Sequence, residues 1–193
     1  MKNNRKLMAT RTLTLAAILT AIVFVLQCFC VIKAGVFSIS MVLVPIVIGA
    51  ATCGYGVSMW LGLVFGIAVL LSGDAAPFLA ISIPGTVITV ISKGIFCGLA
   101  AAVTYKAVKK ISNDYVAVMA AAIICPIVNT GVFFIGCAVF FMDYIKGLAL
   151  NAHWSGNIFG FMIMAFVGLN FLIEMCVNIV LSPVIVRLLK IKK

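Results

Sequence analysis

A long apolar run near the N-terminus constrains the fold of this chain more than any other feature. The run extends from Thr12 to Ile32 and reads TLTLAAILTAIVFVLQCFCVI, without a charged residue. A helix that crosses a bilayer needs about 20 apolar residues. The run is too long for a cleaved signal peptide, and no small-residue cleavage site followed by a soluble chain is present. We therefore expect a first transmembrane helix that stays in the protein.

Composition extends this conclusion to the whole chain. Of the 193 residues, 65% are hydrophobic and 9% are charged, and the mean hydropathy is +1.33. Soluble domains of this size carry far more charge, so the chain is expected to be an integral membrane protein. The net charge of +10 does not indicate nucleic-acid binding, because eleven of the 14 basic residues fall in three clusters.

The three basic clusters predict the topology. They lie at the start, near the middle and at the end of the chain, and basic residues are enriched in cytoplasmic segments. Both termini are then cytoplasmic, and the number of crossings is even. The clusters are Lys2, Arg5, Lys6 and Arg11; Lys106, Lys109 and Lys110; and Arg187, Lys190, Lys192 and Lys193.

Six transmembrane helices in a single domain, residues 1–193, are predicted from the hydropathy pattern. An outer loop from Ala34 to Ser40 follows the first helix. The apolar segment Phe78 to Pro84 is too short to span, and it is a re-entrant segment, a surface segment or an extension of the fourth helix. After the first helix, the predicted spans are Met41 to Cys53, Val57 to Ser72, a fourth helix that ends at Lys106, Tyr115 to Phe141, and a sixth that follows the outer connection Met142 to Gly156.

Small residues at helical spacing mark packing faces. Ala17 and Ala21 stand four residues apart in the first helix, and such pairs let another helix approach closely. The pair seats either an internal neighbour or another protein, and its position near the basic end favours a partner. Gly62 and Gly66 give the third helix a similar face, and the fourth helix carries Gly94, Gly98 and Ala102 on one side.

Residues for catalysis or metal binding are scarce. The seven cysteines have no CxxC spacing and no histidine companion, and His153 is the only histidine. There is no Walker motif, so the chain is not expected to hydrolyse ATP alone. An enzyme acting on lipid or isoprenoid substrates is an alternative, but the four acidic residues lie in separate segments. A stand-alone secondary transporter is another alternative, and no inverted repeat supports it.

Polar residues inside the predicted helices are the main functional signal, because they are costly in lipid. Counted from the cytoplasmic ends at about 1.5 Å per residue, Lys93, Asn129 and Glu174 fall in one layer near mid-membrane. Pro126 is expected to kink the helix just before Asn129. Lys93 and Glu174 either form a buried ion pair or close a pocket that opens outward, in which Lys93 suits a carboxylate. Further candidates for this pocket are Thr130, Asn170 and, at its mouth, Phe37, Trp154 and Asn157.

Together these features resemble an S component, the substrate-binding membrane subunit of energy-coupling factor (ECF) vitamin transporters. The resemblance rests on the basic N-terminus followed by AAILTA, on KAVKK after the fourth helix, and on PIVNTGVFFIG from Pro126 to Gly136. It implies a six-helix bundle that holds one vitamin in an outward-facing site. It also implies that Ala17 and Ala21 contact a membrane coupling protein, the T component, and that two partner ATPases hydrolyse ATP. No cofactor in this chain, and a multi-pass location in the bacterial cytoplasmic membrane, are then expected.

The resemblance narrows the substrate to a branch of the family. The PIVNTG stretch resembles the branch that includes pantothenate, folate and riboflavin carriers. Lys93 favours a vitamin with a carboxylate, with pantothenate ahead of folate. Only Trp60 and Trp154 are available for ring stacking, which disfavours a large flat ligand.

Overall fold

A computed structural model describes the backbone of residues 2–30, 32–34, 37–39, 41–164 and 169–192, and the side chains of residues 10–30, 41–164 and 171–187. Within these ranges the chain is almost entirely helical. The elements are α1 (Lys2–Phe29), β1 (Ile32–Ala34), β2 (Phe37–Ile39), α2 (Leu43–Cys53), α3 (Tyr55–Leu71), α4 (Ala76–Leu79), α5 (Ile83–Lys109), α6 (Asp114–Phe140), α7 (Met142–Asn151), α8 (Ile158–Met162) and α9 (Leu169–Lys192).

The prediction of an all-α membrane protein is confirmed, and each of the six predicted spans corresponds to a helix. In the described part of the chain, three segments are long and apolar enough to cross a membrane, and α2 and α3 are shorter apolar helices. The bounds of the first helix differ from the prediction. The predicted span ran from Thr12 to Ile32, whereas α1 begins at Lys2 and ends at Phe29. The three long segments are Thr10–Phe29, Ile83–Lys109 and Asp114–Phe140.

The predicted outer loop contains a small antiparallel hairpin. Ile32 pairs with Ile39, and Ala34 pairs with Phe37. The second strand packs against α9. Three-residue strands carry too little alternation to be recognised in a sequence this apolar, so the predicted outer loop did not include these strands. We call the end of the helix bundle that holds this hairpin the outer end.

Glycines bring α3 and α5 into backbone contact. A methyl group added to Gly62 would collide with the carbonyl oxygen of Gly94, and one added to Gly94 would collide with the carbonyl oxygen of Gly62. One helical turn closer to the inner end, the Ser58 hydroxyl donates a hydrogen bond to the carbonyl oxygen of Gly98 over 2.7 Å. The packing faces predicted on the third and fourth helices are therefore confirmed, and they face each other.

The packing of α6 against α5 and α9 completes the central bundle. Gly136 lies under the side chain of Thr89, so α6 approaches α5 closely at this level. Pro126 lies inside α6, and the helix continues through it to Phe140. Lys93 and Glu174 are thus carried on two helices, α5 and α9, that both pack against α6.

Two short helices occupy the outer connections. The segment Phe78 to Pro84 forms the end of the short helix α4 and the first two residues of α5, so its last part extends the predicted fourth helix. The re-entrant or surface placement of α4 stays a prediction. α5 begins at Ile83, and its N-terminus is capped by the Ser82 hydroxyl, which accepts a hydrogen bond from the Gly85 amide. The predicted outer connection Met142 to Gly156 contains a helix, α7, from Met142 to Asn151. This helix is short and amphipathic, so it lacks the long apolar run by which the spanning helices were found.

An aromatic cluster joins these outer elements to the bundle. The Phe78 ring of α4 is 95% buried and lies edge-on to three rings, with centroids 5.2–5.7 Å away. This edge-to-face geometry is the one that aromatic pairs prefer. The three rings belong to Phe133, Phe141 and Tyr144.

Polar contacts fasten the inner end. α2 and α3 are joined at Gly54, whose φ of 86° suits glycine. α3 then begins at Tyr55, two residues earlier than predicted. Between α5 and α6, the Asp114 carboxylate forms an ion pair with Lys109 at 2.6 Å and accepts a hydrogen bond from the Tyr105 hydroxyl at 3.0 Å.

Candidate functional site

The Lys93 ammonium lies between two aromatic rings. Its Nζ is 5.0 Å from the centre of the Phe133 ring of α6 and 5.3 Å from that of the Phe65 ring of α3. A cation over an aromatic face is attracted by the partial negative charge on that face of the ring. Among the described side chains, no hydrogen-bond acceptor lies on this Nζ. The ammonium therefore keeps N–H groups that a ligand oxygen can use.

Acidic groups lie within electrostatic range of this ammonium. The Glu174 carboxylate on α9 attracts it, and Asp74 in the turn after α3 does so more weakly. Glu174 is only 6% exposed. Burial of a carboxylate is costly unless other groups compensate for the lost hydration, and a nearby ammonium is one such group. This attraction agrees with the prediction that Lys93 and Glu174 lie in one layer, which stays a prediction.

Asn129 is the second polar group of this region. It is 7% exposed, and its Oδ1 has no hydrogen-bond donor among the described residues. It lies one helical turn below Phe133 on the same side of α6. Because Phe133 contacts Lys93, Asn129 lies on the side of α6 that faces α5. Buried polar atoms without a partner are rare in folded proteins, and each calls for an explanation.

The α9 helix contributes a further buried amide. The Nδ2 of Asn178 donates a hydrogen bond to the carbonyl oxygen of Glu174 over 2.8 Å, and its Oδ1 has no donor among the described residues. The Ser182 hydroxyl donates in turn to the carbonyl oxygen of Asn178. Asn178 is thus held by its own helix, one turn below the Glu174 carboxylate.

Sequence reasoning missed the two rings and the hydroxyl that surround Lys93. Phe65 and Phe133 are apolar residues in apolar helices, so composition does not distinguish them. Phe133 stands four residues after Asn129, so the two lie on the same side of a helix, and this spacing could have indicated that Phe133 faces the same region. Thr89 lies one turn above Lys93, is 2% exposed, and its Oγ1 has no partner among the described residues.

Gln27 is another missed residue, and its sequence signal was clear because it is a polar residue in the first apolar run. It is 1% exposed, and its Nε2 donates a hydrogen bond to Asp74 Oδ2 over 2.6 Å. The Ser72 hydroxyl donates to the same oxygen over 3.1 Å. These bonds tie the outer end of α1 to the turn after α3.

The residues proposed for the mouth of the pocket form a separate group. The Asn157 Oδ1 accepts a hydrogen bond from the Gly160 amide over 2.6 Å and caps α8. The Trp154 indole donates to the carbonyl oxygen of Asn157, and its ring lies 5.9 Å from that of Phe161.

Three further candidates were proposed for the pocket. Thr130 is half-buried next to Asn129. The side chains of the remaining two candidates, Phe37 and Asn170, lie outside the described residues.

Ala17 and Ala21 are exposed on α1. The helix turns its other side inward, where Leu19, Val23 and Gln27 are buried. The described bundle therefore places no neighbouring helix over the two alanines, which is what the partner-docking interpretation requires. An open groove lies beside them, lined by Thr10, Arg11, Thr14, Leu15 and Ile18.

The described residues include no cluster of three or more histidine, cysteine, aspartate or glutamate side chains that converges on one point. The candidate site is instead a cation between two rings, a buried carboxylate and an amide with an unpartnered oxygen. Such a set of groups is suited to a small polar ligand held through charge and hydrogen bonds.

Comparison with known proteins agrees with this description. No curated protein matches the chain. The family model described as "ECF transporter, substrate-specific component" matches residues 11–186, which is nearly the whole chain. The match includes every helix that carries the candidate site. The chain therefore belongs to the family of substrate-specific components of ECF transporters.

Proposed function

We propose that this chain captures a water-soluble vitamin or related micronutrient, by preference one with a carboxylate group, from outside the cell and delivers it inward as part of an ATP-driven ECF importer. Pantothenate is the first candidate, followed by folate and riboflavin. The chain itself needs no cofactor, because two partner ATPases hydrolyse ATP. We place it in the bacterial cytoplasmic membrane with both termini inside.

The observation that carries this proposal is the Lys93 ammonium, held between Phe65 and Phe133 with its N–H groups unused by described acceptors. A carboxylate is the ligand group that suits a compact ammonium donor. Glu174 balances the charge of the empty site, and Asn129 adds a hydrogen-bonding group beside it. Thr130 and Asn170 belong to the same proposed site, with Phe37, Trp154 and Asn157 at its mouth.

Delivery requires a docking surface for the T component, and we assign it to Ala17 and Ala21. Both are exposed and stand one helical turn apart. In lipid, helix association depends on close packing, and small side chains allow it. A partner helix therefore fits this side of α1 without displacing any helix of the bundle.

Ligand binding is the direct test. We would purify the protein in detergent, identify co-purifying small molecules by native mass spectrometry, and titrate the protein calorimetrically with a panel of water-soluble vitamins. Tight binding of one carboxylate-bearing vitamin, with one ligand per chain, supports the proposal. A folded protein that binds no vitamin of the panel contradicts the proposal and favours the alternatives, a secondary transporter or a membrane enzyme.

A further inference from the structure

The carboxamide oxygen of Asn129 is buried without a hydrogen-bond partner. Oδ1 is inaccessible to solvent and accepts no hydrogen bond from a described residue, and the Oγ1 of Thr89 is in the same state. Several other buried polar side chains donate a hydrogen bond. Ser58 donates to Gly98, Asn178 to Glu174, and Ser182 to Asn178.

A buried amide oxygen without a hydrogen bond destabilises the protein, because the oxygen has lost its water and gained no donor in exchange. The cost is compensated when a ligand supplies the missing bonds. A carboxamide offers one acceptor and a donor side by side. It is therefore complementary to a ligand group that carries a hydrogen-bond donor, such as an amide N–H or a hydroxyl.

The position of Asn129 relates this group to the Lys93 ammonium. Asn129, Phe133 and Gly136 follow one another on the same side of α6. Phe133 contacts Lys93 and Gly136 contacts Thr89, so this side of α6 faces α5. Asn129 precedes Phe133 by one helical turn, about 5.4 Å along the axis of α6, so a single small ligand is long enough to reach both Asn129 and Lys93.

We propose that Asn129 selects among carboxylates, taking those that carry an amide N–H or a hydroxyl close to the carboxylate. This inference rests on the proposed function, because it takes Lys93 as the carboxylate anchor. It adds a specificity-determining role for one residue and defines the substrate class as a carboxylic acid with a neighbouring donor. Carboxylates without such a donor leave the Asn129 oxygen unpaired and bind more weakly.

The test changes the ligand and the protein in turn, and calorimetry measures the affinity of each combination. The ligands are pantothenate, the analogue in which an ester oxygen replaces the amide N–H, and the analogues that lack each hydroxyl. The proteins are the unmodified chain, Asn129→Leu, and Ser182→Ala as a control that removes a buried hydroxyl from another helix. In the unmodified chain and in Ser182→Ala, we expect one of the analogues that lacks a hydrogen-bond donor to bind about tenfold more weakly than pantothenate. In Asn129→Leu, we expect that analogue and pantothenate to bind equally well.

Measurements on the unmodified chain decide the question even if Asn129→Leu does not fold. If no donor deletion weakens binding more than twofold, the inference is overturned. It is also overturned if each deletion weakens Asn129→Leu as much as the unmodified chain, or if the vitamin that binds depends on Lys93 but not on Asn129. In those cases the proposed function stands. Absence of binding by the whole vitamin panel overturns both.

Discussion

Gly62 and Gly94 lie opposite each other where α3 crosses α5, so close that the Cα of each faces the carbonyl oxygen of the other. Helices in lipid gain little from hydrophobic burial against one another, so their association depends on such close approach. The contact also fixes the site, because Phe65 follows Gly62 on α3 and Lys93 precedes Gly94 on α5. The separation of ring and ammonium is therefore set by backbone packing.

We predict that Gly62→Ala destabilises the protein strongly. The added methyl group collides with backbone, which has no rotamer to change, and overpacking of this kind costs about 1–3 kcal/mol. The thermal unfolding temperature in detergent, followed by circular dichroism, is the measurement. Gly131→Ala on α6 is the matched control, because a methyl group there meets nothing within 4 Å. An equal unfolding temperature for the two variants would contradict the described packing.

We predict that Lys93→Gln weakens binding of the vitamin by more than tenfold, about 1.4 kcal/mol. Glutamine keeps much of the side-chain volume and removes the positive charge that attracts a carboxylate. Calorimetric titration measures the effect, and Lys106→Gln is the control. Lys106 lies over the Tyr55 ring at the inner end, 3.5 Å from its centre, so its loss leaves the site unchanged. Equal affinities of both variants would remove Lys93 from the site.

Asn157 is expected to contribute chiefly through its cap. Replacing it by alanine removes the acceptor for the Gly160 amide, and loss of such a cap costs about 1 kcal/mol. Asn157→Asp keeps an acceptor oxygen at the same position and preserves the unfolding temperature. Titration of both variants then separates the cap from a ligand contact. A loss of affinity in Asn157→Asp, with unchanged stability, would assign the amide nitrogen to the ligand.

Much of the fold was predictable because lipid imposes simple rules on long helices. Apolar length located the spanning helices, and the spacing of Gly62, Gly66, Gly94 and Gly98 located the contact between α3 and α5. The hairpin, α4 and α7 were not predicted. They lie at the outer end, where segments are short and where tertiary contacts, such as those of Phe78, decide the structure.

The candidate site was predictable only in its charged and amide groups. Lys93, Asn129 and Glu174 are conspicuous in apolar helices, and counting along the helices brought them into one layer. The rings of Phe65 and Phe133 and the hydroxyl of Thr89 have no such signal. Their roles depend on the rotation of each helix about its own axis, which hydropathy does not determine in a helix that is apolar on all sides.

The exposed alanines of α1 give the most direct test of partner docking. We predict that the double variant Ala17→Trp, Ala21→Trp abolishes vitamin uptake by cells that contain the coupling protein and ATPases. Two indole rings fill the space that a partner helix needs, while Leu19 and Val23 on the opposite side keep α1 packed in the bundle. Ligand affinity of the purified variant is expected to stay the same, because both positions lie outside the candidate site.

The matched control places the same bulk on another exposed surface of the bundle. Ile135 and Val139 on α6 are 63% and 66% exposed and stand four residues apart, as the two alanines do. Tryptophan at both positions is expected to leave uptake unchanged, because large apolar side chains are tolerated where a helix faces lipid. Equal loss of uptake in both double variants would mean that bulk alone impairs transport. Loss of ligand binding in the alanine variant, with the fold retained, would also count against docking at Ala17 and Ala21.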